Sequence, residues 1–298
     1  MKKINGDNIK GILNRILYFY QCISDQKKGS NKSCTVYNPI LSISKTTTSG
    51  KTPSRILCDS FWSSINFENL KNQLNSNLNF FDIGCGSGLY GKFLKNITSE
   101  FFGDYTGLDI YKHHDYPSEF NHINSKAENI YNYIGKKTNF VISQSSLEHI
   151  EKDSFVLEEI TKKLIENNKP FIQIHMIPAS LCLWLYLWHG YRQYSKKNLA
   201  YISDELKKKF DVNTFIVPIG GKLSFWTHLK YVTVPVYIRK IFMKDKLYKE
   251  FNKRNIEKKI IENISKELEC NHKSPVFWAF IITPKNIDID GKLIKNLK

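Results

Sequence analysis

The sequence contains no run of about 18 apolar residues, the length a helix needs to cross a bilayer, so no membrane span is expected. It has no Cys-x-x-Cys pair: Cys22, Cys34, Cys58, Cys85, Cys182 and Cys270 are widely scattered. That scatter does not make a zinc framework and argues against a disulfide scaffold, leaving free thiols in a reducing compartment. The basic start, Met1 to Asp7, is not followed by a continuous apolar segment and a small-residue cleavage site, so no secretory leader is expected. A phosphate loop is missing too. Ser49-Gly50-Lys51-Thr52 ends like one, but G-x-x-x-x-G-K-[ST] requires glycine at position 45, where Lys45 stands. No internal repeat is visible. These absences lead to the expectation of a cytoplasmic protein.

What is present is long enough, at 298 residues, to bury one sizeable core and a smaller accessory layer. The net charge of +16 is uneven. Residues 1–60 hold 10 Lys/Arg against 3 Asp/Glu, and residues 196–298 hold 22 against 11. The middle, 61–195, holds 12 against 14 and is close to neutral. Basic flanks suit nucleic acid, an anionic membrane surface or an anionic glycan. Lysines mixed with glutamate, as over residues 244–266, read instead as solvated helix faces.

The spacing of Ile9, Ile12, Leu13, Ile16 and Leu17 predicts a helix over residues 8–22. Residues 24–54, rich in Ser, Thr, Lys, Asn and Gly, read as a mobile connection or a covering loop. Residues 55–75 look helical. The densest signal follows: Asn79-Phe80-Phe81-Asp82-Ile83-Gly84-Cys85-Gly86-Ser87-Gly88, an apolar run, an acid, then G-x-G-x-G. Leu89 to Leu94 can carry a helix away from it. Strand, glycine turn and helix open a doubly wound α/β sheet, whose ligands lie beyond the strand ends.

Two ligand classes compete for such a turn. A nicotinamide fingerprint, G-x-G-x-x-G, needs its third glycine where Leu89 stands. Asp82, just before the turn, also suits a pyrophosphate badly and an ammonium group well. Downstream, Tyr105-Thr106-Gly107-Leu108-Asp109-Ile110 reads as a second strand ending in an acid, able to accept both hydroxyls of a ribose. Ser125-Lys126-Ala127-Glu128-Asn129-Ile130 forms a further turn. Asn139-Phe140-Val141-Ile142-Ser143 is a clearer strand, followed by Gln144-Ser145-Ser146-Leu147-Glu148-His149. Phe171 to His175 supply another apolar strand after Pro170.

In this order and spacing the segments resemble class I S-adenosylmethionine-dependent methyltransferases, over about residues 61–175, and within them the type 11/12-like group acting on small molecules and glycans. The resemblance implies a Rossmann-like, doubly wound α/β sheet of seven strands, mostly parallel. Strand seven, at residues 274–283, would be antiparallel and inserted between strands five and six. It implies S-adenosyl-L-methionine as cofactor. Asp82, Gly84, Cys85, Gly86, Ser87 and Gly88 would hold its methionine end, Asp109 and Ile110 its ribose and Ala127 and Glu128 its adenine side, with Gln144 and Ser145 as further cofactor-binding residues.

The chain then divides into an N-terminal helix and connection (1–60), a cofactor-binding core (61–225) with a lid after strand five (176–195), a helical insertion (226–273), and a final strand and tail (274–298). Residues 204–210 read as a helix and 213–218 as strand six. The apolar run 181–188 is too short to span a bilayer, and suits a buried helix, a hydrophobic lid or a surface dipping into a membrane interface. With Glu148, the polar end of that segment, Tyr191, Arg192 and Tyr194, would meet the acceptor.

Methyl transfer from a sulfonium is an in-line displacement, largely a matter of alignment, but a hydroxyl acceptor must also lose its proton. His149 is the first candidate base, with His175 and His189 behind it. His113-His114-Asp115 and Glu148-His149 are conceivable metal ligands of unspecific spacing, and no required metal is expected. Ser143-Gln144-Ser145-Ser146 lacks the Pro-Pro-aromatic pattern of exocyclic-amine methyltransferases, and no Pro-Cys pair occurs there, which disfavours a nucleic-acid partner. The leading expectation is an O-methyltransferase acting on a sugar or sugar-linked metabolite, as in surface-polysaccharide synthesis. The alternatives are a lipid or quinone methyltransferase at the inner face of a membrane, in peripheral contact with its anionic surface, and an RNA methyltransferase.

Overall fold

The computed structural model describes residues 3–30, 34–43, 52–237, 253–289 and 292–295. Positions 49–51 of the near-miss phosphate loop, the middle of the expected insertion (238–252) and the end of the tail (296–298) lie outside the described residues.

An eight-stranded sheet organises the chain. Its strands are β1 (Thr35–Val36), β2 (Leu78–Ile83), β3 (Phe102–Asp109), β4 (Asn121–Asn124), β5 (Phe140–Gln144), β6 (Ile172–Pro178), β7 (Val212–Ile219) and β8 (Phe277–Pro284), in the spatial order 1-7-8-6-5-2-3-4. β8 is antiparallel to both β6 and β7, and every other pairing is parallel. The sheet is thus the expected Rossmann-like one, with its antiparallel strand β8 between β6 and β7, the strands expected as five and six. To it β1 adds a short edge strand beside β7. Two paired residues leave no periodicity to read in a sequence, and that stretch reads as a connection.

Each central strand is apolar on both faces because helices cover both. Phe80, Phe140 and Ile142 face a core built with α2 (Pro53–Ser64), α3 (Phe67–Leu74) and α4 (Leu89–Thr98). Phe81, Ile83 and Val141 face the opposite core, under α5 (Asp153–Glu166) and α7 (Lys196–Lys209). The helix expected over 55–75 is two helices. Ile65 closes the first in extended conformation, and Asn66 caps the second, its side chain accepting from the Asn69 N–H at 3.1 Å. Pro53 opens α2, one residue after the capping Thr52, so this helix begins inside the stretch read as a connection.

α1 (Ile12–Lys27) begins later and runs further than its apolar spacing suggests. Gly11 precedes it at φ +81°, and Gly6–Asn8 form a separate 3₁₀ turn. Tyr18 and Cys22 bury against Leu183. After β6 the apolar run forms only the five-residue α6 (Cys182–Tyr186), which stops at Leu187 in a left-handed conformation, φ +52°. Cys182, Leu183 and Leu185 are buried and Trp184 is exposed. α7 starts at Lys196, eight residues before the helix read from sequence, because Ser195 and Asn198 form a reciprocal capping box. Beyond β7 come α8 (Lys222–His228), a π-helical turn (Leu229–Thr233) and α9 (Lys253–Ile264). The Glu267 carboxylate accepts from the N–H groups of Gly221, Leu223 and Ser224 at 2.6–2.9 Å, covering the positive end of α8.

All six cysteines are free and buried. Among the described residues, no helix is long and apolar enough to cross a membrane. Phe140 sits at the centre of an aromatic cluster, with ring centroids 4.9 Å from Phe80, 6.3 Å from Phe67 and 6.5 Å from Trp62. Phe140→Ala is expected to cost about 3–5 kcal/mol, read as an earlier midpoint in urea denaturation with an unchanged slope.

Candidate active site

β2 lies between β3 and β5, and the chain leaves it through α4 on one face of the sheet while the helix after β5, α5, covers the other. Such a divergence opens a crevice at the carboxyl ends of the two strands. The glycine turn fills the base of it. Gly84 has φ +70°, and a Cβ there would come within 2.4 Å of the Ser146 Cβ. Gly86 has φ +52°, and a Cβ there would meet no atom within 4 Å. The first glycine is needed for packing, whereas the second leaves bare backbone facing open space.

Three adjoining cavities line the crevice. The largest, about 670 Å³, runs from Gly84 past Leu108, Asp109 and Ile110 to Ala127 and Glu128, with Asn5, Asp7, His149 and Tyr191 on the facing wall. A second, about 380 Å³, lies among Ser54, Arg55, Gln144, Glu148, Tyr186 and His189. A third, about 190 Å³, sits against Asp82, Gly84, Cys85, Gly86, Ser87 and Arg55. Ser145 borders the first two, and Gln144 and Arg55 the last two. Ser145 holds φ +54°, a left-handed conformation that is strained for a residue with a side chain. Gln144 is fixed by the Trp62 indole N–H, which donates to its Oε1 at 3.0 Å. Gly88 caps α4 instead of lining a cavity.

Asp82 is almost fully buried. Its Oδ2 accepts from the Tyr105 hydroxyl at 2.5 Å, and its Oδ1 has no partner. Burial pushes its carboxyl up to about 7, against the pull of the Tyr105 hydrogen bond. Across the small cavity stands Arg55, whose guanidinium donates to the Tyr90 hydroxyl at 3.0 Å. That hydroxyl in turn donates to Asp59 at 2.6 Å. Burial opposes the charge on Arg55, but Tyr90 and Asp59 hold it protonated above its ordinary range. An anionic and a cationic group thus share one small cavity. In the large cavity, Asp109 accepts from the Gly86 N–H at 2.9 Å, tying the end of β3 to the turn.

Of the three candidate bases, two meet and one does not. His149 and His189 stack edge to face, ring centroids 4.5 Å apart, with Asp7 between them. The Asp7 carboxylate lies 2.7 Å from His149 Nδ1 and 3.4 Å from His189 Nδ1. Burial works against a charged His189, but Asp7 and Glu148 outweigh it and push the imidazole up to about 9. The same two histidines hold the Asp7 carboxyl far below the usual carboxylate range. His175 corrects the reading from sequence. Alternation along β6 turns it, with Gln173, away from the crevice, and it is fully buried against Ser143 Oγ (2.9 Å) and Gln173 Oε1 (3.3 Å). Burial lowers it to about 3. Arg192 and Tyr194, expected to touch an acceptor, also turn elsewhere. Both bind the buried Asp153, Arg192 through its guanidinium and Tyr194 through its hydroxyl at 2.6 Å.

Asp7 and Arg55 were missed because both lie in the flank read as helix and connection, far in sequence from the glycine turn. The 3₁₀ turn places Asp7 through the Gly6 N–H, which donates to the Gly190 carbonyl at 2.7 Å, and through the Gly190 N–H, which donates to Asp7 at 3.2 Å.

No family model matches the chain, and no curated protein matches it. Several solved structures are distantly similar. The plantazolicin methyltransferase BamL, solved with a triazolic desmethylPZN analog and SAH, is 16% identical over 77% of this chain and 85% of its own, with a TM-score of 0.43. A SAM-dependent methyltransferase from Archaeoglobus fulgidus is 17% identical over 73% and 90%, TM-score 0.39. The Haemonchus contortus phospholethanolamine N-methyltransferase 2 is 15% identical over 78% and 57%, TM-score 0.39. Similarity at these values carries no argument about activity, and the class of fold is set by the strand order itself.

Burying Asp82 raises its pKa above that of the unfolded chain, so ionising it destabilises the fold as pH climbs from about 4 through 7. Asp82→Asn, neutral throughout, is expected to melt higher than the parent at pH 8, by up to roughly 4 kcal/mol of stability. The gap closes toward pH 4. Calorimetric melts at several pH values check this.

Proposed function

We propose that the chain is an S-adenosylmethionine-dependent methyltransferase that methylates a hydroxyl of a sugar or sugar-linked metabolite. The observation that carries this is the unpartnered Oδ1 of Asp82, buried beside the glycine turn. A buried carboxylate oxygen without a donor costs free energy that an ammonium group recovers. Arg55, in the same cavity, suits a carboxylate, so the small cavity fits the zwitterionic end of an amino acid. The large cavity offers Asp109 for ribose hydroxyls and Ile83, Leu108, Ile110 and Ala127 as apolar surface for a purine. The Asp82 carboxylate, once ionised, would repel a pyrophosphate placed beside it.

The cofactor supplies an electrophilic methyl group on a sulfonium. The chain's own groups have the remaining tasks. Gln144, held by Trp62, and the strained Ser145 form the partition between cofactor and acceptor cavities and orient what lies on each side. The acceptor cavity is lined by Thr52, Ser54, Glu148, His189 and Tyr186, a polar set suited to a hydroxylated ligand. His189, at that wall, is held protonated up to about 9, against its burial, by Asp7 and Glu148 and so serves as a donor, leaving His149, beside it on the cofactor side, as the base for the acceptor proton.

A second reading has its own support. α1 exposes Ile12, Leu13, Ile16, Leu17 and Tyr20, near the exposed Trp184, on a chain with basic flanks. That surface suits a membrane interface and hence a lipid or quinone acceptor. Sedimentation with anionic vesicles separates the two: no co-sedimentation leaves the soluble sugar acceptor in place.

Calorimetric titration with S-adenosylmethionine and S-adenosylhomocysteine, with NAD as control, tests the core of the proposal. Micromolar binding of the first two is expected, lost in Asp82→Ala. Since the ammonium group selects the ionised carboxylate, affinity should rise up to tenfold per pH unit below about 7 and level off above it. Binding of NAD alone would overturn the assignment.

A further inference from the structure

Glu148 is fully buried, yet neither of its carboxylate oxygens has a hydrogen-bond partner. Its Oε1 faces two imidazole nitrogens, His189 Nε2 at 3.8 Å and His149 Nε2 at 4.0 Å. Those distances are too long for hydrogen bonds. They are the distances between two ligands of one cation: donors at about 2.1 Å from a metal stand roughly 3.4 Å apart at a tetrahedral angle and about 4.2 Å apart when opposed. One ligand atom from each of Glu148, His149 and His189 lies within 4.8 Å of the others.

The far side of both rings points the same way. Both Nδ1 atoms face one carboxylate, Asp7, itself held by the Gly190 N–H. A histidine whose Nδ1–H donates to a carboxylate offers its Nε2 to a metal that displaces the Nε2 proton, and this pairing is the usual support of metal-bound imidazole. Here one acid sets the tautomer of two rings at once. We infer that Glu148, His149 and His189 form a binding site for one divalent first-row transition ion, with Asp7 as the outer carboxylate that orients both imidazoles. Two imidazoles and one carboxylate select zinc, manganese, iron or cobalt over magnesium, which favours oxygen donors. This goes beyond the expectation from sequence, which had no required metal.

Three protein ligands leave at least one position open. Glu148 and His189 line the acceptor cavity and His149 the cofactor cavity, so the site lies in the wall between them. A bound cation would coordinate the acceptor hydroxyl and lower its pKa, so that its proton passes to solvent and the alkoxide stays on the metal. This catalytic consequence rests on the methyltransferase reading. The binding of the ion does not.

The test is titration of chelator-stripped, full-length protein with Zn²⁺, Mn²⁺ and Mg²⁺ without any cofactor, by calorimetry and by shift in melting temperature. One transition ion per chain is expected at micromolar affinity or tighter, with Mg²⁺ far weaker. Glu148→Gln and His189→Gln should each lose at least tenfold in affinity, and Asp7→Asn about 10–100-fold. Far-UV spectra confirm that each variant is folded. The exposed trio His113, His114 and Asp115 provides the control: a His113→Ala/His114→Ala double variant should bind as the parent does. Absence of stoichiometric binding, or binding abolished by the double variant and not by Glu148→Gln, would overturn the site. Titration of the stripped protein with S-adenosylhomocysteine tests the methyltransferase reading separately, so either idea can fail alone.

Discussion

Two parallel neighbours, β2 and β5, send their following helices to opposite faces of the sheet, and the rest of the active region depends on the crevice this forces open. The glycine turn has room because no helix crosses it. Asp82 can keep one oxygen unpartnered because β3 supplies a tyrosine for the other. Residues from β2, β3 and β5 converge there without any of them being adjacent in sequence. The crevice is thus a property of topology, and the side chains only give it chemistry.

Two buried carboxylates carry that chemistry in opposite ways. Asp82 has only the Tyr105 hydroxyl as a hydrogen-bond partner, and burial raises its pKa. Glu148 sits beside two imidazoles that Asp7 orders from outside. On the proposed readings, the first would meet an ammonium group that arrives with the cofactor, while the second faces imidazoles already supplied by the chain. Asp82 has one oxygen without a hydrogen-bond partner and Glu148 has two, and buried groups left this way call for an explanation such as a ligand. The flanks complete both sites: Arg55 from α2 joins the first and Asp7 from the N-terminal turn the second.

The sheet was largely legible because its strands are short apolar runs bounded by polar or glycine-rich turns, and because the acid–glycine turn marks its first unit. Asp82, Gly84, Gly86 and Asp109 line the cavities where their positions at strand ends put them. Face was harder to read than element. β6 was found, but whether His175 points to the crevice or to α5 turns on a one-residue phase that a strand buried on both faces does not reveal. Arg192 and Tyr194 failed for another reason: their partner, Asp153, opens a helix some forty residues earlier, and no local pattern announces it. Arg55 did leave a trace. Only five of the 44 cationic residues are arginine, and three of those, Arg15, Arg55 and Arg192, pack on an aromatic ring or a buried acid. In a lysine-dominated chain, arginine marks the places where a fixed planar cation is required.

The placement of β8 has a consequence for how the protein is made. It pairs along its whole length with β7 and over residues 277–282 with β6, yet it is synthesised after both. Until the ribosome has passed Pro284, those two strands each present an open, strongly apolar edge, and nothing joins the β1–β7 pair to the rest of the sheet. The half built from β2 to β6 can assemble early, but the wall that closes over it must wait. A nascent chain stalled in that interval would have two unpaired strand edges rich in apolar residues, the kind of surface that pairs with other chains.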